Sequence, residues 1–195
     1  MELRLEHDAF FKAWNAHRLA YDRGLLPKAE YWARVLAEAS AHAVEQAGAL
    51  GSGNAAGQGP ELNDELLERL VSTDLSSFMT PREPLQALAR ELLARGVSVG
   101  ILSNMPPGIG RRWLEAWPWL ADMDCIVWSG DEGLFKPDAA IYKHFLNRSS
   151  WRPEHTLFVD DVLANVSAAR DLGFAGHHFI DEGEALAAIR AWFTG

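Results

Sequence analysis

The chain has 195 residues, 48% hydrophobic and 23% charged, the balance of a folded globular protein and not of a disordered one. Eighteen basic against 27 acidic residues leave a net charge of −9, which argues against nucleic acid as the main partner but not against a small anion held by a few local donors. One cysteine, Cys125, excludes an internal disulfide and a thiolate zinc site and points to a reducing compartment, the cytoplasm.

The first residues, Met1-Glu2-Leu3-Arg4-Leu5-Glu6, lack the basic start and apolar stretch of a signal peptide. No apolar run approaches the ~20 residues of a membrane span. Residues 1–80 read as helical. Asp8 is placed to cap a helix carrying Phe10, Phe11, Trp14, Leu19 and Tyr21, which Gly24 ends. Pro27 suits the first turn of a second helix with Tyr31, Trp32, Val35 and Leu36. Residues 48–60 hold five glycines and read as a loop. Leu62, Leu66, Leu67 and Leu70 then mark a third helix.

From residue 81 to 195 the pattern alternates between helix and strand. Residues 85–95 form an amphipathic helix stopped by Gly96, and residues 97–102 a short buried strand. A helix covers residues 113–117, a second strand 125–128 and a helix 139–146. A third strand at 156–159, a helix at 162–172, a fourth strand at 177–180 and a helix at 184–193 complete the chain. Repeated β–α units with apolar strands imply an α/β fold, a Rossmann-like parallel sheet covered by helices. Gly108-Ile109-Gly110 is not a dinucleotide fingerprint, because the third glycine is missing and no strand directly precedes it.

Open parallel sheets bind ligands beyond the carboxyl ends of their strands. Ser103 and Asn104 follow the first strand, Ser129, Gly130 and then Lys136 the second, Asp160 and Asp161 the third, and Asp181 the fourth. A serine hydroxyl and a lysine ammonium suit an oxyanion. Two adjacent carboxylates suit a hard cation such as Mg2+. Each alone has a plainer reading: a helix cap for Ser103-Asn104 or Asp160-Asp161, a surface lysine for Lys136. Their coincidence at one sheet edge favours a site.

Residues 100–106 (Gly-Ile-Leu-Ser-Asn-Met-Pro), residues 136–142 (Lys-Pro-Asp-Ala-Ala-Ile-Tyr) and residues 157–161 (Leu-Phe-Val-Asp-Asp) with Asn165 resemble the second, third and fourth motifs of the haloacid dehalogenase-like (HAD) hydrolase superfamily. The likeness is closest to its helical-cap branch, which includes sugar-phosphate phosphatases and 2-haloacid dehalogenases. The resemblance implies a helical cap over residues 1–80 and an α/β core over 81–195. It implies that Ser103 and Asn104 bind a phosphoryl group, that Lys136 neutralises it and the nucleophilic carboxylate, and that Asn165 orients the loop. Asp161 would ligate Mg2+, with Asp160 as a second ligand or as its outer partner. The implied reaction is Mg2+-dependent hydrolysis of a small phosphorylated metabolite through an aspartyl-phosphate. A homodimer is left open.

The resemblance lacks its first motif, an apolar strand ending in Asp-x-Asp at the centre of the sheet. Asp8 has no apolar strand before it and Phe10 two places later, so no nucleophile is assigned. The chain reads as short at the front by roughly 20–30 residues, a strand, its loop and a helix start. A missing central strand leaves its neighbours without partners. The expectation is an inactive chain, most simply a truncated copy; a non-catalytic binding protein and a gap filled by residues 1–6 or by a partner chain are the alternatives. A metal-free dehalogenase fits the acidic pair poorly. The seven histidines lack ligand spacing, and Trp113, Trp117 and Trp119 read as packing.

Overall fold

The computed structural model describes residues 7–49, 61–77 and 79–193. Two compact units divide the chain, Met1–Met79 and Thr80–Gly195. Among the described residues, no helix is long and apolar enough to cross a membrane.

The first unit contains α1 (His7–Asp22), α2 (Lys28–Ala49) and α3 (Asp64–Ser77). Asp8 sits in the exposed first turn of α1 with its carboxylate against His7, and not at the cap position. Residues 50–60 of the expected glycine-rich loop lie outside the described residues. Tyr31, Val35 and Ala39 recur at i, i+4 and i+8 along α2 and are fully buried, with Trp32 beside them. Tyr21 of α1 stacks on Tyr31 with ring centroids 4.3 Å apart. Trp32 is therefore core. Half-buried Trp14 donates its indole N–H to Asp74 of α3 at 3.1 Å.

Under these rings lies a buried charge cluster. Arg18 donates to Asp22 one turn on (2.6 Å) and to Asp74 of α3 (2.8 and 3.1 Å), and its guanidinium stacks over Trp14. The Arg18 guanidinium thus binds two carboxylates away from water. Burial pushes the Asp22 carboxyl up to about 6, Arg18 opposes that rise, and Asp74 adds to it.

The second unit begins with α4 (Glu83–Ala94), which Pro84 starts and Gly96 follows. Next come β1 (Gly100–Ser103), α5 (Ile109–Ala116), β2 (Cys125–Trp128), the short α6 (Ser129–Glu132), α7 (Ala139–Ser149), β3 (Leu157–Asp160), α8 (Leu163–Asp171), β4 (Ala175–His178) and α9 (Glu182–Trp192). The strands form two separate parallel pairs. Gly100 to Ser103 lie opposite Cys125 to Trp128, and Leu157 to Asp160 opposite Ala175 to His178. Among the described residues no ladder joins β1 to β3. Both are half-buried along most of their length, whereas β2 is mostly buried.

The core of this unit sits between β2, α7 and α8, where Cys125, Val127, Ile141, Tyr142, Phe145, Ala169 and Phe174 are buried together. Each large apolar side chain buried there contributes about 1.5–3 kcal/mol. Trp113 meets Trp117 and Trp128 edge to face, so this tryptophan group is packing. The fourth strand runs from residue 175 to 178, not 177 to 180. Its ladder must start beside Leu157, and a Cβ on Gly176 would stand 2.9 Å from both Arg170 and Val166 of α8. Phe179 and Ile180 consequently fall beyond the strand.

The Asp22 shift has a definite sign. Its folded-state value lies above that of an exposed carboxylate, so the folded chain binds the proton more tightly. The stability it confers is complete below about pH 4 and lost as pH rises through about 6. The melting temperature of the natural chain relative to that of Asp22→Asn should therefore fall across this window and stay level above it. A difference that does not change with pH contradicts the buried cluster.

Candidate active site

The polar residues after the strands fall into two groups, one locked and one uncommitted. Lys136, in the segment between α6 and α7, is 7% exposed. Its Nζ donates to the Leu102 carbonyl of β1 at 2.8 Å and to Asp160 Oδ2 of β3 at 2.6 Å. That one ammonium brings the carboxyl ends of β1 and β3 together across the break between the strand pairs. The Phe158 ring lies 5.5 Å from Nζ. An ammonium has three N–H donors, and the third has no acceptor among the described residues.

Asn104 holds the backbone of the same lysine. Its Oδ1 accepts from Lys136 N–H at 2.9 Å, and its Nδ2 donates to the Lys136 carbonyl at 3.0 Å. These two bonds fix where the lysine stem leaves the loop. Asp160 is equally committed, because Oδ1 accepts from Val162 N–H and from Asn165 Nδ2, both at 2.9 Å. Tyr142 donates to the Asn165 carbonyl at 2.8 Å. Burial, reinforced by Asp160, pushes the Tyr142 hydroxyl up, so it stays a donor at neutral pH.

Ser103 and Asp161 are the uncommitted pair. Ser103 is the last residue of β1, half-buried, and its hydroxyl has no hydrogen-bond partner among the described residues. Asp161 is exposed, and its carboxylate also has none. Its backbone carbonyl is held by His178 Nε2 at 3.1 Å. β3 ends at Asp160 and the chain bends at Asp161, leaving Asp160 in the network and Asp161 exposed.

The structure adds Ser129, whose part in this loop packing is not evident from its place after β2. It is fully buried at the start of α6 and clamps the loop after β1, accepting from Met105 N–H at 2.9 Å and donating to Met105 O at 3.2 Å. Gly130 follows against the same loop, and a Cβ there would lie 2.5 Å from both Met105 O and Pro107 N. Asp181 is taken up as the cap of α9, accepting from Glu184 N–H at 2.9 Å.

A family model for haloacid dehalogenase-like hydrolases matches residues 5–173. The chain belongs to that family. Over 105 residues it is 36% identical to the sesquiterpene phosphatase astK of Aspergillus oryzae, covering 53% of this chain and 53% of that protein. Over 116 residues it is 30% identical to an (S)-2-haloacid dehalogenase of Pseudomonas fluorescens, covering 60% of this chain and 50% of that one. The chain thus spans about half the length of these curated relatives. The HAD family enzyme bt-2542 from Bacteroides thetaiotaomicron, solved with magnesium and inorganic phosphate, shares the fold at a TM-score of 0.59 and 18% identity, covering 93% of this chain and 91% of that one.

Family membership raises the question of a cation. Among the described residues no three His, Cys, Asp or Glu side chains group as a metal site. Asp160 has both oxygens engaged, whereas Asp161 offers a free hard-oxygen ligand. Mg2+ commonly takes one or two carboxylates, several waters and substrate phosphate oxygens, and the exposed Asp161 could supply one of these ligands.

The locked and uncommitted carboxylates should differ sharply in stability. Asp160→Asn leaves the Lys136 ammonium buried without its counter-charge, which costs about 3–5 kcal/mol. Asp161→Asn changes an exposed group and should stay within about 0.5 kcal/mol. Urea unfolding of the two variants checks this, and equal losses contradict the network.

Proposed function

We propose that this HAD chain carries the phosphoryl-binding half of a Mg2+-dependent phosphatase of small phosphorylated metabolites. The observation carrying that reading is the Lys136–Asp160 pair between β1 and β3, flanked by the uncommitted Ser103 and Asp161. In this reading Ser103 donates to a phosphoryl oxygen. The third Lys136 N–H binds another, and its charge offsets the negative charge that gathers during transfer. Asn104 keeps Lys136 in place, Asn165 keeps Asp160 in place, and Asp160 acts as the outer partner of Asp161. Bound at Asp161, Mg2+ would supply further charge neutralisation at the phosphoryl group. The first unit serves as the helical cap.

The name of the Aspergillus relative, a phosphatase, and the magnesium and phosphate in bt-2542 support the phosphatase side. The name of the Pseudomonas relative supports dehalogenation. Asp161 favours the former, since a free carboxylate suits a cation and repels a carboxylate substrate.

An attacking carboxylate is also needed. Among the described residues Asp160 is the carboxylate hydrogen-bonded to Lys136, and its oxygens are already in use. Phosphoryl binding without turnover is therefore the expected behaviour. With Mg2+ the chain should bind inorganic phosphate in a calorimetric titration and hydrolyse p-nitrophenyl phosphate at background rate. Ser103→Ala should weaken phosphate by about 1 kcal/mol, roughly fivefold. Asp161→Asn should abolish the dependence on Mg2+. A folded chain that binds no phosphate overturns the reading. Turnover abolished by Asp161→Ala overturns the assignment of no nucleophile.

A further inference from the structure

The uncommitted Asp161 carboxylate stands on a bend just past the end of β3. A backbone that has left its ladder swings unless something holds it. Two peptide groups meet at the Asp161 Cα, and both are held. In the group before it, the Asp160 carbonyl accepts from Phe179 N–H at 2.9 Å. In the group after it, the Asp161 carbonyl accepts from His178 Nε2 at 3.1 Å, and Val162 N–H donates to Asp160 Oδ1 at 2.9 Å.

His178 differs from the other two holders. Phe179 contributes only backbone, and Asp160 already belongs to the network around Lys136. His178 is the half-buried last residue of β4 and lies opposite Asp160 in the parallel register. Its side chain therefore starts about 4.8 Å from the end of β3, one strand spacing away. A carbonyl oxygen only accepts, so Nε2 carries the proton in this contact. The ladder closes without the imidazole, through Phe179 N–H. What the imidazole adds is a hold on the Asp161–Val162 peptide, whose rotation would carry the carboxylate away from the Lys136 side of the site.

We infer that His178 is a positioning residue, which holds the Asp161 backbone so that its carboxylate is presented to a small divalent cation. The inference rests on the Mg2+-dependent phosphoryl-binding reading above. Groups that hold a metal ligand in place commonly matter to metal affinity by about 10–100-fold. The size of the ion decides how much. Mg2+ demands ligands close to octahedral positions, whereas Ca2+ accepts a variable number of oxygens in flexible geometry. A carboxylate on a held backbone suits the smaller ion, and a loosened one loses Mg2+ first.

Calorimetric titration of the full chain with Mg2+ and with Ca2+, each in the presence of inorganic phosphate, tests this. His178→Phe and His178→Ala remove the donor, whereas His178→Gln sets an amide N–H the same number of bonds from the backbone. The two donorless variants should bind Mg2+ about tenfold or more weakly and Ca2+ less than about threefold more weakly. His178→Gln should restore Mg2+ binding. Hydrogen exchange without metal should show the Val162 amide opening faster in the donorless variants and at the natural rate in His178→Gln. Unchanged Mg2+ affinity in a folded donorless variant overturns the inference and leaves the phosphoryl-binding reading standing. So does an equal loss of both cations, a glutamine that restores nothing, or Val162 exchange that does not change. A natural chain that binds neither phosphate nor Mg2+ overturns both.

Discussion

The second unit is organised around one buried ammonium. Lys136 comes from neither β1 nor β3, yet it binds a backbone carbonyl of one and a carboxylate of the other. Taking a cation out of water costs several kcal/mol, and a single good partner at short range offsets that cost only if the remaining polar valences are also met. Apart from the third Lys136 N–H, the surroundings meet this requirement in stages. Asn104 fixes the lysine backbone from the β1 side, and Asp160 is in turn held by Val162 N–H and Asn165, which Tyr142 anchors from α7. These bonds tie the loop after β1, the segment between α6 and α7 and the loop after β3 into one network.

This saturation shapes the chemistry. Groups whose hydrogen bonds are already made cannot reorganise when a ligand arrives, which is the condition for strong electrostatic binding of a developing charge. Asp160 is such a group, and two of the three Lys136 N–H donors are fixed in the same way. Ser103 and Asp161 have the opposite character, with free valences held on rigid strand ends. A ligand therefore meets a stiff charged floor and two unoccupied polar arms, an arrangement suited to a tetrahedral anion accompanied by a hydrated cation.

Much of this is legible in the sequence. Glycine and proline punctuation, with helical and strand periodicity, placed the helices and three strands to within a few residues, and the polar residues at strand ends marked Ser103, Asn104, Lys136, Asp160, Asp161 and Asn165. Sequence could not divide the two aspartates, because that depends on which one turns toward a lysine 24 residues earlier in the chain. The fourth strand lies two residues earlier than its local sequence suggests, because Phe179 and Ile180 look like strand residues while Ala175 and Gly176 do not. Tertiary pairing with β3, and the room for α8 that only glycine leaves, outweighed local preference. The buried Arg18 cluster was hidden for a similar reason. Its Asp22 contact is visible at i, i+4, but Asp74 reaches it from 56 residues away.

The division of the strands into two pairs also bears on how the protein behaves in concentrated solution. A continuous four-stranded sheet has two edges, whereas the two pairs among the described residues have four. Every strand edge presents backbone donors and acceptors that a neighbouring molecule can pair with. Opposing that association is the net charge of −9, which keeps copies apart through long-range repulsion. Salt shortens the reach of this repulsion to about 8 Å at physiological ionic strength and leaves the backbone groups untouched. The colloidal stability of the chain is thus set by ionic strength, through a charge balance that contributes nothing to the fold itself.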